Sequence, residues 1–175
     1  MKSKYIISLL FLCLFSLISC GGDDDDIWSD GSREVEDVKI NAIRANIGDI
    51  IHVDTYFETK VEVGVPQDWE LAIRISPALR YMNGSSKLYI EGEGHRRSPD
   101  YIMNCQDGTT YLWYSLDNDD DLEYYNGSKD FNMRFDVIAD DYSRMARIEA
   151  RAGKHVNYSC NDEFMYQEED GVIIE

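Results

Sequence analysis

The residues that are best suited to bind an ion form an acidic stretch that begins at Asp117. Carboxylates alternate there at Asp117, Asp119 and Asp121. A hard cation such as Ca²⁺ is bound by several carboxylate and carbonyl oxygens, which loops with alternating acidic residues supply. The stretch is therefore either a calcium site in a loop or a solvated hairpin loop. Calcium is the only cofactor that the sequence suggests.

Aromatic residues flank this acidic stretch. Tyr111, Trp113 and Tyr114 precede it, and Tyr124 and Tyr125 follow it. Exposed aromatic rings can stack on sugars or anchor a protein partner. In a strand, Tyr111 and Trp113 share one face and Tyr114 lies on the other, and one of these faces must belong to the core. Some of the rings are therefore structural, and the candidate ligand-binding residues are Trp113, Tyr124 and Tyr125.

A small basic cluster occurs in the polar stretch Gly92–Pro99, which we interpret as a loop. It contains His95, Arg96 and Arg97 in succession. The cluster either contacts an anionic group or is simply solvated.

The sequence lacks the residue patterns that are typical of enzymes. The three histidines are far apart and do not have the spacing of zinc ligands. No nucleophile motif or phosphate-binding glycine loop occurs. We therefore predict a protein without catalytic activity, and a hydrolase without a recognisable motif is the alternative.

The chain is strongly acidic. Among its 175 residues, 34 are acidic and 17 are basic, so that the net charge is −17 at pH 7. Binding to nucleic acid requires a basic surface, so nucleic acid is excluded as an expected partner. The charge favours solubility instead, and the length suits one domain.

Alternation of apolar and polar residues predicts an all-β fold. In the predicted strands every second residue is apolar, as in strands that are buried on one face, and glycine and proline turns separate them. Many short strands of this kind favour an antiparallel β-sandwich. The segment Met145–Ala150 also contains good helix formers, so that it is either a strand or a helix. The predicted strands are Val38–Ala42, Ile51–Glu58, Trp69–Ile75, Lys87–Glu91, Tyr101–Met103, Thr109–Leu116, Phe131–Ile138, Ala146–Ala152, Phe164–Tyr166 and Val172–Ile174.

The beginning of the chain is typical of a secretory signal peptide. Lys2 and Lys4 precede an apolar run, Tyr5–Ile18, and small residues then lead to Cys20. The run is shorter than the roughly 20 residues of a membrane-spanning helix. The segment Leu17–Cys20 resembles the lipobox of bacterial lipoproteins, which implies that Cys20 carries fatty-acyl chains such as palmitate and becomes the mature N-terminus. The alternative is that Cys20 is an ordinary residue after a cleavage site.

Four aspartates, Asp23, Asp24, Asp25 and Asp26, follow Gly21-Gly22. This segment resembles the acidic export signal of Bacteroidetes surface lipoproteins. The resemblance implies a lipid anchor in the outer membrane, with the protein facing the cell exterior. The alternative is a charged linker, because like charges repel each other and extend a chain.

The cysteines fit an exported protein. Cys13 lies in the signal peptide and Cys20 is assigned to lipid by the lipobox resemblance, so that Cys105 and Cys160 remain as a pair. An oxidising compartment allows a disulfide between them. Two buried free thiols, which would pack as small apolar groups, are the alternative.

A second resemblance concerns the β-domain. The segment Gly48–Thr55 resembles the strand that begins with Gly-Asp in immunoglobulin-like repeats of bacterial surface proteins, and Ile75–Tyr81 is similar to their P-x-L-x-Y corner. Trp113–Leu116 and Phe131–Ile138 resemble their closing hairpin. The resemblance implies adhesion, spacing or presentation and no reaction.

Together these features predict a signal peptide at residues 1–19, a lipidated cysteine with a flexible acidic tether at 20–37, and a single immunoglobulin-like β-sandwich at 38–175. We expect a lipid-anchored cell-surface protein with a non-catalytic role, either adhesion or ligand capture. Its partners would be the membrane, through the lipid, and a protein or glycan of unknown identity. The alternative is an accessory subunit of a surface complex for glycan capture or of an appendage.

Overall fold

A computed structural model of the protein describes residues 35–61, 70–115, 127–153, 159–160 and 164–175. These residues form strands, turns and loops. No helix in this part of the chain is long and apolar enough to cross a membrane.

Several predicted features lie outside the described residues. They are the signal peptide, Cys20, the aspartates Asp23–Asp26, the acidic stretch with Asp117, Asp119 and Asp121, and the rings of Tyr124 and Tyr125.

The described residues form twelve β-strands in two six-stranded sheets. The strands of sheet 1 are β1 (Val35–Ile40), β3 (Ile50–Val61), β5 (Leu79–Tyr81), β6 (Lys87–Ile90), β7 (Glu93–Arg96) and β10 (Gly127–Ala139). Those of sheet 2 are β2 (Arg44–Ala45), β4 (Glu70–Ile75), β8 (Tyr101–Asn104), β9 (Thr110–Ser115), β11 (Ser143–Gly153) and β12 (Glu168–Ile174). Sheet 1 has the order β1-β3-β10-β6-β7, with β5 also paired to β10, and sheet 2 has the order β2-β12-β11-β4-β9-β8. Every pairing is antiparallel except that of β12 with β2.

The core lies between the two sheets. β3 and β10 are paired in one continuous register, and the rings of Phe57 and Phe131 lie opposite each other in this pair with their centroids 5.5 Å apart. Period-two alternation turns the apolar residues of both sheets toward each other. Residues that are almost fully buried include Ile51, Val53, Phe57, Leu88, Ile90, Phe131, Met133, Phe135 and Val137 from sheet 1, and Leu71, Ile73, Ile75, Leu112, Tyr114, Ile148, Val172 and Ile174 from sheet 2.

The sequence prediction of an all-β sandwich is confirmed, but three local predictions need correction. β1 is Val35–Ile40, whereas the predicted strand was Val38–Ala42. The stretch Gly92–Pro99 is not simply a loop, because it contains β7, whose exposed polar residues hid its strand character. Phe164–Tyr166 does not form a strand. The ambiguous segment Met145–Ala150 is part of strand β11.

Polar side chains next to and within β12 close the edge of β1. The Gln167 side-chain oxygen accepts hydrogen bonds from the backbone N–H groups of Val35 and Ala152, each at 2.9 Å. A carboxylate oxygen of Asp170 accepts one from the N–H of Ile40 at 2.7 Å. Because Val35 belongs to sheet 1 and Ala152 to sheet 2, Gln167 joins the two sheets and satisfies donors at an edge that would otherwise be open.

Three hydroxyl groups form a buried chain inside the apolar core. The hydroxyls of Tyr81 and Ser86 are 2.7 Å apart, and those of Ser86 and Tyr114 are 2.9 Å apart. Burial raises the pKa of Tyr114 far above its ordinary value, and the hydrogen bond from Ser86 opposes this rise only in part. Tyr114 therefore stays neutral in the folded protein.

A second, smaller apolar cluster covers part of the outer face of sheet 2. Its buried members come from β4, β9 and the chain after β11, and partly buried residues of β8, of β9 and of the position that follows β8 pack against them. The buried members are Ala72, Tyr111 and Phe164, and the partly buried ones are Met103, Cys105 and Trp113.

The predicted disulfide between Cys105 and Cys160 is present, with the two Cα atoms 5.5 Å apart. Cys105 directly follows β8, and Cys160 lies in the connection between β11 and β12. The bridge thus ties this connection to the edge of sheet 2 on which Phe164 is buried.

Removal of the disulfide should destabilise the domain. The bridged residues are 55 apart in sequence, and the chain-entropy model assigns about 4 kcal/mol to a loop of this length, a large part of the ~5–15 kcal/mol that typically stabilises a domain. A variant with Cys105→Ser and Cys160→Ser should therefore melt many degrees lower when thermal unfolding is followed by circular dichroism. The reduced parent should have the same melting temperature as the variant, and reductant should not change the melting temperature of the variant. Equal melting temperatures of the variant and the unreduced parent would contradict a stabilising bridge.

Stability should also fall at alkaline pH because of Tyr114. The unfolded chain loses this proton at an ordinary tyrosine pKa of about 10, whereas burial raises the pKa in the folded state. Above pH ~10 the unfolded state thus binds fewer protons, and stability decreases by up to ~1.4 kcal/mol per pH unit. Urea denaturation between pH 8 and 11 should show a shallower decrease for Tyr114→Phe. Tyr101→Phe, at a ring that is 50% exposed, should behave as the parent does, and an unchanged slope in Tyr114→Phe would disprove this role.

Candidate functional site

The outer face of sheet 1 is the candidate site because its side chains form rows that run across the strands. Residues that alternate with the core positions point outward, and the register aligns them from strand to strand. We distinguish an acidic, an aromatic and a cationic row. The acidic row is Glu36, Glu58 and Asp130; the aromatic row is Tyr56, Asn132, Tyr89 and Gly94; the cationic row is Lys39, Asp54, Arg134, Lys87 and Arg96.

The acidic row lies at the end of the sheet where the described chain begins. Carboxylate oxygens of Glu36, Glu58 and Asp130 all lie within 4.8 Å of one another. Oxygen ligands at such a spacing suit a hard cation. Exposed acidic groups also lie together without a metal, especially in a chain with 34 of them, so the row by itself assigns no metal site.

The aromatic row lies next to it. Asn132 is only 8% exposed and stands in register between Tyr56 and Tyr89. The ring of Tyr89 lies on Gly94, where an added Cβ would be only 2.6 Å from Cε1 of the ring. Gly94 is thus the position that allows the Tyr89 ring to lie against β7.

The cationic row contains four basic residues and one acidic residue. Arg134 donates a hydrogen bond from Nε to Asp54, and its guanidinium lies over the Tyr89 ring, 4.3 Å from the centroid. Burial alone would lower the pKa of Arg134, but the contacts with Asp54 and Tyr89 outweigh it and raise the pKa. Arg134 therefore carries a permanent positive charge, which both the cation–π contact with Tyr89 and the pairing with Asp54 require. The two contacts together hold its side chain in one orientation.

Lys39 shows the same combination at the other end of the row. Its ammonium group is 2.7 Å from a carboxylate oxygen of Asp37 and 4.7 Å from the centroid of the Tyr56 ring. Each tyrosine of the aromatic row thus contacts one cation of the neighbouring row.

A groove of about 580 Å³ crosses this face over the cationic row. One wall is the turn between β5 and β6. Gly84 in this turn has a φ of +78°, which residues other than glycine rarely adopt. The Ser85 hydroxyl takes the place of a backbone partner there. It accepts a hydrogen bond from the N–H of Asp136 at 2.9 Å and donates one to the carbonyl oxygen of Met82 at 2.6 Å. The interruption between β5 and β6 is what makes room for the groove.

A second pair of side chains lies in the groove. Nδ1 of His52 is 2.6 Å from a carboxylate oxygen of Asp136, and these residues face each other across β3 and β10. The two carboxylates of the groove, those of Asp54 and Asp136, are thus fixed by basic partners on neighbouring strands. Their free lone pairs can accept hydrogen bonds from a ligand.

The predicted site residues have different outcomes. Trp113, proposed as a ligand-binding residue, is half-buried and packs against the second apolar cluster, so its environment is that of a structural side chain. Its strand has Leu112 and Tyr114 in the core, and the opposite face is covered instead of open. In the basic cluster, Arg96 belongs to the cationic row, whereas Arg97 is paired with Asp100 at 2.9 Å.

Sequence reasoning missed the groove because its residues are contributed by β3, β6, β10 and the turn at Gly84. Each strand shows its own alternation, but no strand shows which residues of another strand lie beside it. The one signal in the sequence that could have indicated the groove was the group of basic residues that includes Lys87 and Arg96.

No protein-family model matches the chain, and no curated protein matches it. Solved structures do show similarity. The N-terminal domain of the Streptococcus gordonii adhesin Sgo0707 gives a TM-score of 0.52 at 14% identity, over 82% of this chain and 32% of that chain. Domains D2 and D3 of the major pilin SpaD from Corynebacterium diphtheriae give 0.51 at 8% identity, over 66% and 43%.

A third similar structure is the major pilin subunit BcpA of Bacillus cereus, with a TM-score of 0.50 at 14% identity, over 79% of this chain and 39% of that chain. In all three cases this chain spans less than half of the matched chain. At such identities the likeness concerns the fold alone, and it confirms the immunoglobulin-like β-sandwich predicted from the sequence.

Proposed function

We propose that this chain is a lipid-anchored protein of the outer cell surface, and that its sandwich binds a ligand or presents a binding face without catalysing a reaction. The observation that carries the binding role is the groove on the outer face of sheet 1. Four of its side chains are already paired, Arg134 with Asp54 and His52 with Asp136. Groups that are fixed in this way are suited to recognition, because little ordering is left to occur on binding.

The anchoring part of the proposal is supported by the lipobox-like segment Leu17–Cys20 and by Asp23–Asp26. A lipid anchor needs more than one acyl chain to be stable, since each buried methylene contributes only ~0.8 kcal/mol. Processing of the lipobox kind supplies several chains on one cysteine.

A second candidate function is that of an accessory subunit in a surface appendage or a glycan-capture complex. It is favoured by the fold that this chain shares with the pilins SpaD and BcpA. Co-purification of stoichiometric partner proteins from the envelope would favour it over an independent binding protein.

The anchor can be tested at Cys20. A Cys20→Ala variant should leave the membrane fraction and should lose labelling by a clickable fatty-acid probe, because the thiol that carries the acyl chain is missing. Cys13→Ala, which changes the other cysteine of the leader, is the matched control and should be labelled as the parent is. Undiminished labelling of Cys20→Ala would refute lipidation at this residue.

The exposure on the cell surface can be tested at the four aspartates. Replacement of Asp23–Asp26 by asparagine should keep acylation and abolish cleavage by protease added to intact cells. Replacement by glutamate keeps the charge and should preserve cleavage. If the asparagine variant is cleaved on whole cells as fast as the parent, the aspartates are only a spacer.

A further inference from the structure

Three basic side chains lie side by side in the cationic row. Arg134 of β10 is the register partner of Lys87 of β6, and Lys87 is the register partner of Arg96 of β7. Like charges directly opposite each other in a sheet are destabilising. The carboxylate of Asp54 pairs with Arg134 and is the one acidic side chain in a row with four basic ones, so the row has an excess of positive charge.

This excess is unusual in so acidic a chain. With 34 acidic and 17 basic residues, partners for a cation are abundant. Most arginines of the described part are paired, as Arg80 is with Asp140 and Arg147 with Glu169. Among the described residues, by contrast, Lys87 and Arg96 have no carboxylate partner.

The unpaired cations are next to the groove. Lys87 lines it, and Nη2 of Arg96 lies 3.1 Å from the position that a Cβ would have on Gly84, in the groove wall. Arg134 lines it as well and binds Asp54 through Nε. An anionic group in the groove would thus meet three cations across two strand spacings, roughly 10 Å.

The rest of the groove restricts the kind of anion. Asp54 and Asp136 also line it, and they would repel a ligand of high charge density, such as a phosphate or a polysulfate. They would instead accept hydrogen bonds from hydroxyl groups. A ligand with one carboxylate among several hydroxyls matches both parts of the groove, and charge-assisted hydrogen bonds to the cations would fix its orientation.

We propose that the groove binds a glycan that contains uronic acid, with the sugar carboxylate held by Arg134, Lys87 and Arg96 and the ring hydroxyls held by Asp54 and Asp136. This inference rests on the proposed binding function and specifies its ligand. It does not depend on the lipid anchor, so the two can fail separately.

The test uses the full-length protein in detergent micelles and calorimetric titration. The probes are galacturonate, glucuronate and mannuronate oligosaccharides, each compared with its methyl ester, which keeps the hydroxyls and removes the charge. We expect at least one acid to bind at least tenfold more tightly than its ester, and binding to weaken as salt rises. Hexaglutamate, an acidic peptide without hydroxyls, should bind at least tenfold more weakly than that acid.

Variants then locate the site. Lys87→Gln and Arg96→Gln should each weaken binding of the acid by about tenfold and leave the ester unaffected. Arg144→Gln is the matched control, since Arg144 is an exposed arginine of sheet 2 without a carboxylate partner among the described residues, and it should change nothing. None of the three variants should melt at a lower temperature than the parent, because each side chain is exposed and has no carboxylate partner to lose among the described residues.

Four results would overturn the proposal. They are the absence of binding to every uronate, equal binding of acid and ester, equal or tighter binding of hexaglutamate, and an equal loss in Arg144→Gln. Tight binding of hexaglutamate would identify an acidic peptide as the ligand class instead. A loss of lipid labelling or of surface exposure in the separate anchor tests would leave these results unaffected.

Discussion

The pairing of β3 with β10 is the constraint on which the rest of the structure depends. Successive side chains of a strand point to opposite faces, so the register that buries Ile51, Val53 and Phe57 also sends His52 and Asp54 outward. A slip of one residue would exchange the two sets and place charges in the core. The rows on the outer face are therefore fixed by the same register that fixes the core, and no separate stabilisation is needed to align them.

Much of the fold could be predicted from the sequence, because long strands with one buried face show a clear period of two. β3 and β10 follow this pattern, whereas β11 contains good helix formers and was ambiguous. β7 did not show it, because an exposed edge strand with glycine at position 94 has no buried face. The surroundings of Trp113 could not be predicted from the pattern either: its face of sheet 2 points outward in the sandwich, yet Phe164 from a distant segment packs on that face. Coverage of this kind depends on where a connection crosses the sheet, which local patterns do not reveal.

The candidate site was less predictable than the fold. A cationic row requires knowledge of which strands are neighbours, and β6 lies beside β10 although 36 residues separate Ile90 from Gly127 along the chain. The same holds for the closure of β1 by Gln167 and Asp170, which are more than 100 residues away in sequence. The disulfide was predictable because it needed only the cysteine count and the compartment, whereas the consequence that it secures the second cluster needed the topology.

The separation of opposite charges on one face decides how that face can act. Glu58 of the acidic row and Asp54 of the cationic row are four residues apart on β3, a distance of roughly 14 Å in a strand. This exceeds the screening length of about 8 Å at physiological ionic strength, so the acidic row does little to cancel the field of Arg134 and Lys87. The net charge of −17 opposes the approach of polyanions, most strongly at low ionic strength. The groove is thus suited to short-range recognition of a sparsely charged ligand, and a densely charged one would be repelled before it reached the three cations.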